Sequence, residues 1–167
     1  MLAISIILLG ILSRLVIHAP NFTPVMALAL FGGVYLPRRQ ALFVPVILMV
    51  ISDLLLGAHQ TMLFTWGSVI LISALGIYLR SKMSWRNVLG GSLISALVFF
   101  VITNFGAWLV MYPRTVDGFV NCYVAAIPFF RMTLASTLLY TVICFGVYQV
   151  VARWVKETRW SKVMLNA

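Results

Sequence analysis

Followed for its alternation of apolar and polar positions, the chain falls into six apolar runs separated by short polar punctuation. The first covers Leu2 to Ile17 and stops at the turn "HAPNFTP". The second runs from Pro24 to Leu36, with Thr23 suited to the N-cap and proline to the first helical position. "PRRQ" separates it from the third, Ala41 to Leu56, after which Gly57 reads as a helix stop and Thr61 as the next cap. The fourth, Met62 to Leu79, closes on "RSKMSWR". The fifth runs from Asn87 to Met111 and is followed by "YPRTVDGFVNCYVAAIP", too polar and too proline-marked for a clean span. The sixth covers Phe129 to Trp154, ahead of the basic tail "RWVKETRWSK". No internal repeat, low-complexity run or long linker interrupts the pattern.

These runs predict an all-α bundle in a single domain spanning residues 1–167, with six membrane crossings. A perpendicular helix needs about 20 residues to cross the hydrocarbon. The second run is shorter, so it is expected to be re-entrant or shielded by its neighbours. The N-terminal stretch lacks the basic n-region and A-x-A site of a secretory signal and is expected to be a retained first span.

Composition turns the pattern into a location. The chain is 63% hydrophobic and 9% charged, with a mean hydropathy of +1.08, whereas soluble domains carry roughly 25% charged residues. An integral, multi-pass membrane protein follows, with the lipid bilayer as its first partner and a bacterial inner membrane as the expected place. The net charge of +9 does not imply nucleic acid. Arg38 and Arg39, then Arg80, Lys82 and Arg86, then Arg153, Lys156, Arg159 and Lys162 fall in three patches between or after the runs. Excess Lys and Arg mark cytoplasmic loops, so both termini are expected inside, with Trp85, Trp154 and Trp160 in the interfacial belt.

With that topology the remaining polar groups gather at the outer ends of the spans. Arg14 and His18 end the first run and Asn21 follows it; Asp53 lies late in the third and His59 in the loop beyond. Asn104 lies late in the fifth, and Arg131 opens the sixth. Charge near the bilayer centre costs about 2.5–3.5 kcal/mol per residue. Asp53 is one of only three acidic residues and calls for a cationic partner, Arg14 or Arg131. Each residue also has a structural explanation: Arg14 can snorkel to headgroups, Asp53 can fix helix packing, and Asn104 can bond between helices. The histidines can be ordinary loop residues, and Cys122 an inert thiol. The one-sidedness of the set is what points to a pocket.

Catalytic motifs are absent: there is no HExxH, no GxSxG, no glycine-rich phosphate loop and no carboxylate pair. No cofactor or metal is expected, and the chain is not expected to be an enzyme. A channel would need a polar stripe along the whole path, which the sequence lacks. Ala29 with Gly33, and Gly91 with Ser95, have the small-xxx-small spacing that lets helix backbones approach.

At "PNFTPVMALALFGGVYLPRR", "ITNFGAW" and "NCYVAAIPFFRMTL" the chain resembles a family of small bacterial integral membrane proteins of unknown function. In architecture it is similar to the substrate-binding S-components of energy-coupling-factor (ECF) vitamin transporters. That resemblance implies six helices, cytoplasmic termini and a pocket roofed by outer loops, here "HAPNFTP", "GAHQT" and "YPRTVDGFVNCYVAAIP". It implies a vitamin-like small molecule as ligand, and a coupling subunit with ATPases as partners. The AxxxA docking motif of S-components is missing from "LAISIILLGILS". The expected site is then Arg14, Asp53, Asn104 and Arg131 in the pocket, with His18, Asn21 and His59 in its lid. The rival is a structural or assembly subunit with a filled outer face; less favoured is an intramembrane enzyme.

Overall fold

The computed structural model describes residues 2–16 and 21–156, and among these every regular element is helical. The α-helices are α1 (Leu2–Val16), α2 (Val25–Tyr35), α3 (Arg38–Leu56), α4 (Met62–Leu79), α5 (Trp85–Met111) and α6 (Val116–Lys156), with a single 3-10 turn at Arg80–Lys82. The segment boundaries expected from the sequence hold within a few residues for the first five.

Successive helices from α3 onward run antiparallel. Gly91 of α5 meets Leu79 of α4 and Gly106 meets Phe64. Further along, the Thr141 hydroxyl of α6 donates to Ser92 of α5 at 3.2 Å. Arg38, Arg39, Arg80, Lys82, Arg86, Arg153 and Lys156 therefore share one end of the bundle, and His59, Thr61 and Arg114 belong to the other. Four stretches, Arg38–Leu56, Met62–Lys82, Trp85–Met111 and Val116–Lys156, are long and apolar enough to cross a membrane. Their outward faces carry large exposed apolar side chains such as Leu54, Leu71, Leu97 and Val147, the surface that suits lipid. The chain is a multi-pass membrane protein.

Of the six expected helices, two are shorter than a perpendicular span. Helix α2 has 11 residues, about 16 Å at 1.5 Å per residue, roughly half the hydrocarbon thickness. Ten of its residues, Val25 to Val34, are buried; a helix apolar on every face belongs inside. It is enclosed by the other helices and is too short to cross the hydrocarbon by itself. The described part of α1, 15 residues, is below the about 20 of a perpendicular span.

The fifth loop departs from the sequence expectation. The stretch from Val116 to Pro128, expected to be loop, is helical and continues without a break into a 41-residue α6, about 60 Å long. The cause is local. The Thr115 hydroxyl accepts from the Gly118 N–H at 3.1 Å, and Asp117 lies in the first turn, where a carboxylate complements the helix dipole. Gly118, Cys122 and Ala126 are buried at four-residue spacing, a ridge of small side chains laid along α5. The polar residues that suggested a loop, Asp117 and Asn121, are exposed on the opposite face.

Close backbone approach holds α2 in place. A Cβ on Gly33 would lie 2.3 Å from the Ser73 carbonyl oxygen and 2.6 Å from the Gly76 Cα. At the basic end the Arg80 guanidinium donates to the Gly33 carbonyl at 2.8 Å and to the Leu36 carbonyl. These carbonyls close the C-terminus of the buried helix, and a cation suits that pole.

Candidate functional site

The end of the bundle opposite the basic patches holds a cavity of about 290 Å³. Its described lining is Asn21, Thr23, Val25, Met26, Met49, His59, Thr61, Thr65, Phe99 and Thr103. A second cavity of about 120 Å³ adjoins it and shares Asn21, Phe99 and Thr103 as common walls. Its walls come from the segment entering α2, from α3, α4 and α5, and from the α3–α4 loop.

Backbone geometry brings the polar groups inward. Asn21 sits at φ 58°, a left-handed conformation that asparagine tolerates better than most residues. Its carbonyl accepts from the Ser136 hydroxyl of α6 at 3.4 Å, and the residue lines both cavities. Gly57, at φ 114°, ends α3 and turns the chain so that His59 lies over the cavity. The Nδ1 of His59 is 3.1 Å from the Thr61 hydroxyl. Its Nε2 is 4.0 Å from the carboxylate of Asp53, a side chain only 1% exposed. Asp53 in turn accepts from Trp66 Nε1 at 2.9 Å. Asp53 thus stands behind His59 and does not line the cavity.

The hydroxyl groups have a common orientation. Thr65 donates to the Thr61 carbonyl and Thr103 to the Phe99 carbonyl, each one helical turn back. Their protons are committed to the backbone, leaving oxygen lone pairs as acceptors. The start of α2 offers the reverse. Pro24, at its N-cap, makes no side-chain cap bond, and the backbone bonding of the helix begins with Leu28 N–H to the Pro24 carbonyl. Val25 and Met26, in the first turn, line the cavity at the positive pole of the helix. Thr23, expected to cap this helix, instead lines the cavity.

Of the residues singled out by the sequence, the structure brings Asn21 and His59 to the larger cavity, Asn104 to the smaller, and Asp53 behind His59. Arg131 is exposed on α6 and lines neither cavity. Arg14 belongs to the last turn of α1, but its side chain, like the whole of His18, lies outside the described residues, as do Arg159, Trp160 and Lys162. Asp117 and Asn121 sit on an exposed helical face. Thr65, Thr103 and Thr133 were not recognised, because hydroxyl residues are common in apolar helices and carry no mark of their azimuth. A signal did exist: Thr61 and Thr65, Phe99 and Thr103, and Phe129 and Thr133 all repeat at four residues, placing each pair on one helix face.

Among the described residues no group of three His, Cys, Asp or Glu side chains is arranged to hold a metal ion. The lining can instead bind a small polar molecule through neutral donors and acceptors set in an apolar frame.

No curated protein and no solved structure matches the chain. Over residues 1–159 it matches the model of a family of unknown function (DUF6580), and the chain belongs to that family.

Proposed function

We propose that this chain is a membrane-embedded binding protein for a small molecule, serving uptake in the manner of an S-component, with its pocket on the extracytoplasmic side of a bacterial inner membrane. The observation that carries the reading is the polar cavity at one end of the bundle, over the start of a buried half-length helix. Its volume of about 290 Å³ stands at the lower edge of the 300–1,000 Å³ usual for small-molecule sites, and the adjoining cavity extends it. Broken or short helices that end at a polar cavity within a bilayer are a recurring way to present backbone groups to a solute. The charge asymmetry between the two ends supports the outward orientation, and the resemblance to S-components supports a vitamin-like ligand and a separate energising partner.

A hydrolase would draw on Thr61, His59 and Asp53. His59 Nδ1 lies 3.1 Å from the Thr61 hydroxyl, but at 4.0 Å the Asp53–His59 gap exceeds the hydrogen-bond reach that would orient the imidazole. Binding without chemistry is the better account.

The experiment is to purify the full chain from its membrane and identify small molecules that stay bound, by mass spectrometry. Thr65→Phe fills the larger cavity from a wall position. A species held by the wild type and absent from a folded T65F variant is the expected result. Equal retention, or none by either protein, overturns the reading.

A further inference from the structure

We propose that the smaller cavity, between α5 and α6, is a subsite for a small ammonium group, primary or methylated, carried by the ligand. The inference rests on the binding reading above and adds the chemical class of one end of the ligand. Four phenylalanines, Phe99, Phe100, Phe129 and Phe130, wall this cavity. Phe100 and Phe130 form one side together, their ring centroids 4.8 Å apart and tilted by 50°.

Both threonine hydroxyls in the same wall have committed their protons. Asn104 Nδ2 donates one of its two protons to the Phe100 carbonyl at 2.7 Å, and its amide oxygen remains an acceptor. Thr103 donates to the Phe99 carbonyl at 2.8 Å and Thr133 to the Phe129 carbonyl at 3.2 Å. Two hydroxyl oxygens and an amide oxygen therefore stand as acceptors among aromatic rings. A ligand ammonium placed here supplies both hydrogen bonds to these oxygens and the positive charge that ring faces attract. Among the described residues no lysine or arginine lines the cavity. Arg131, next in sequence to Phe130, is exposed and is not part of the lining. The volume of about 120 Å³ equals about four waters at roughly 30 Å³ each, room for an ammonium with small substituents and for little else. The shared walls at Asn21, Phe99 and Thr103 leave the rest of the ligand in the larger cavity.

The test uses the full chain in detergent and follows ligand-induced stabilisation against heat, with choline and ethanolamine as probes. Each is compared with its uncharged analogue in which carbon replaces nitrogen. At least one cation is expected to bind about tenfold or more tighter than its neutral analogue, the range a desolvated cation–ring contact supplies. Phe100→Leu and Asn104→Leu should each remove about tenfold of that preference, while the neutral analogue is unaffected. Equal binding of cation and neutral analogue, no binding of either, or full preference in both variants overturns the proposal. The wild-type comparison needs no variant to fold. If a molecule co-purifies with the wild type and is lost in T65F while neither cation is preferred, the ammonium assignment falls and the binding reading stands.

Discussion

Gly33 shows what one residue decides in this bundle. Its missing side chain lets α2 and α4 touch backbone to backbone, and a Cβ there would lie 2.3 Å from the Ser73 carbonyl oxygen. Because the obstacle is main chain on both Ser73 and Gly76, no side-chain rotation relieves it. Gly33→Ala is expected to destabilise the protein by about 1–3 kcal/mol, the cost of overpacking a well-packed core. Gly67→Ala is the control: a Cβ on Gly67 of α4 meets nothing within 4 Å, so the better helix former should be neutral or slightly stabilising. Thermal melts of the two variants in one detergent would show opposite signs; a Gly33→Ala protein as stable as wild type would mean that the close approach is not needed. At this scale the sequence was readable where chemistry was rare. Asn21, His59 and Asn104 stood out because amides and imidazoles are scarce in an apolar chain, and all three border the cavities. Arg131 stood out equally and faces outward, since depth along a helix says nothing about azimuth. The threonines were hidden for the opposite reason: they are plentiful, and most serve their own helix.

At the scale of elements, the short α2 and the long α6 carry the architecture. Helix α2 was marked by its length and by apolar residues on every face, which together allow only an enclosed position. Helix α6 was misread over its first 13 residues because threonine, aspartate, glycine and proline cluster there as they do in loops. Here the same residues make a cap, a first-turn charge and a small-residue ridge, and Pro128 is accommodated inside the helix. The distinction lies in partners: only with α5 alongside does the spacing of Gly118, Cys122 and Ala126 acquire a purpose. Helix α2 also depends on something remote in sequence. Arg80, 44 and 47 residues away, donates to its last carbonyls. Replacing it by methionine keeps much of the apolar stem and leaves those carbonyls unpaired, for an expected loss of about 1–3 kcal/mol. Arg80→Lys should recover part of the loss, because one ammonium can still serve one of the carbonyls. Equal stability of the methionine and wild-type proteins in thermal unfolding would show that water or lipid headgroups satisfy that end.

For the whole molecule, function turns on which way it faces. Seven described basic residues share one end, and the cavity opens at the other beneath His59, whose side chain is 41% exposed. Cytoplasmic loops retain lysine and arginine because translocating them is unfavourable, so the cavity end is expected outside. Gln60, in the loop over the cavity, and Ser81, beside Arg80 and Lys82, are both exposed and report the two ends. Cys122 and Cys144 are buried and can be replaced by alanine to give a silent background. On intact cells a membrane-impermeant maleimide should label Gln60→Cys and spare Ser81→Cys until the membrane is opened. The reverse pattern would turn the cavity to the cytoplasm. Uptake from outside would then be untenable, while a binding site for a cytoplasmic molecule would survive, because the lining of the cavity does not depend on the side it faces.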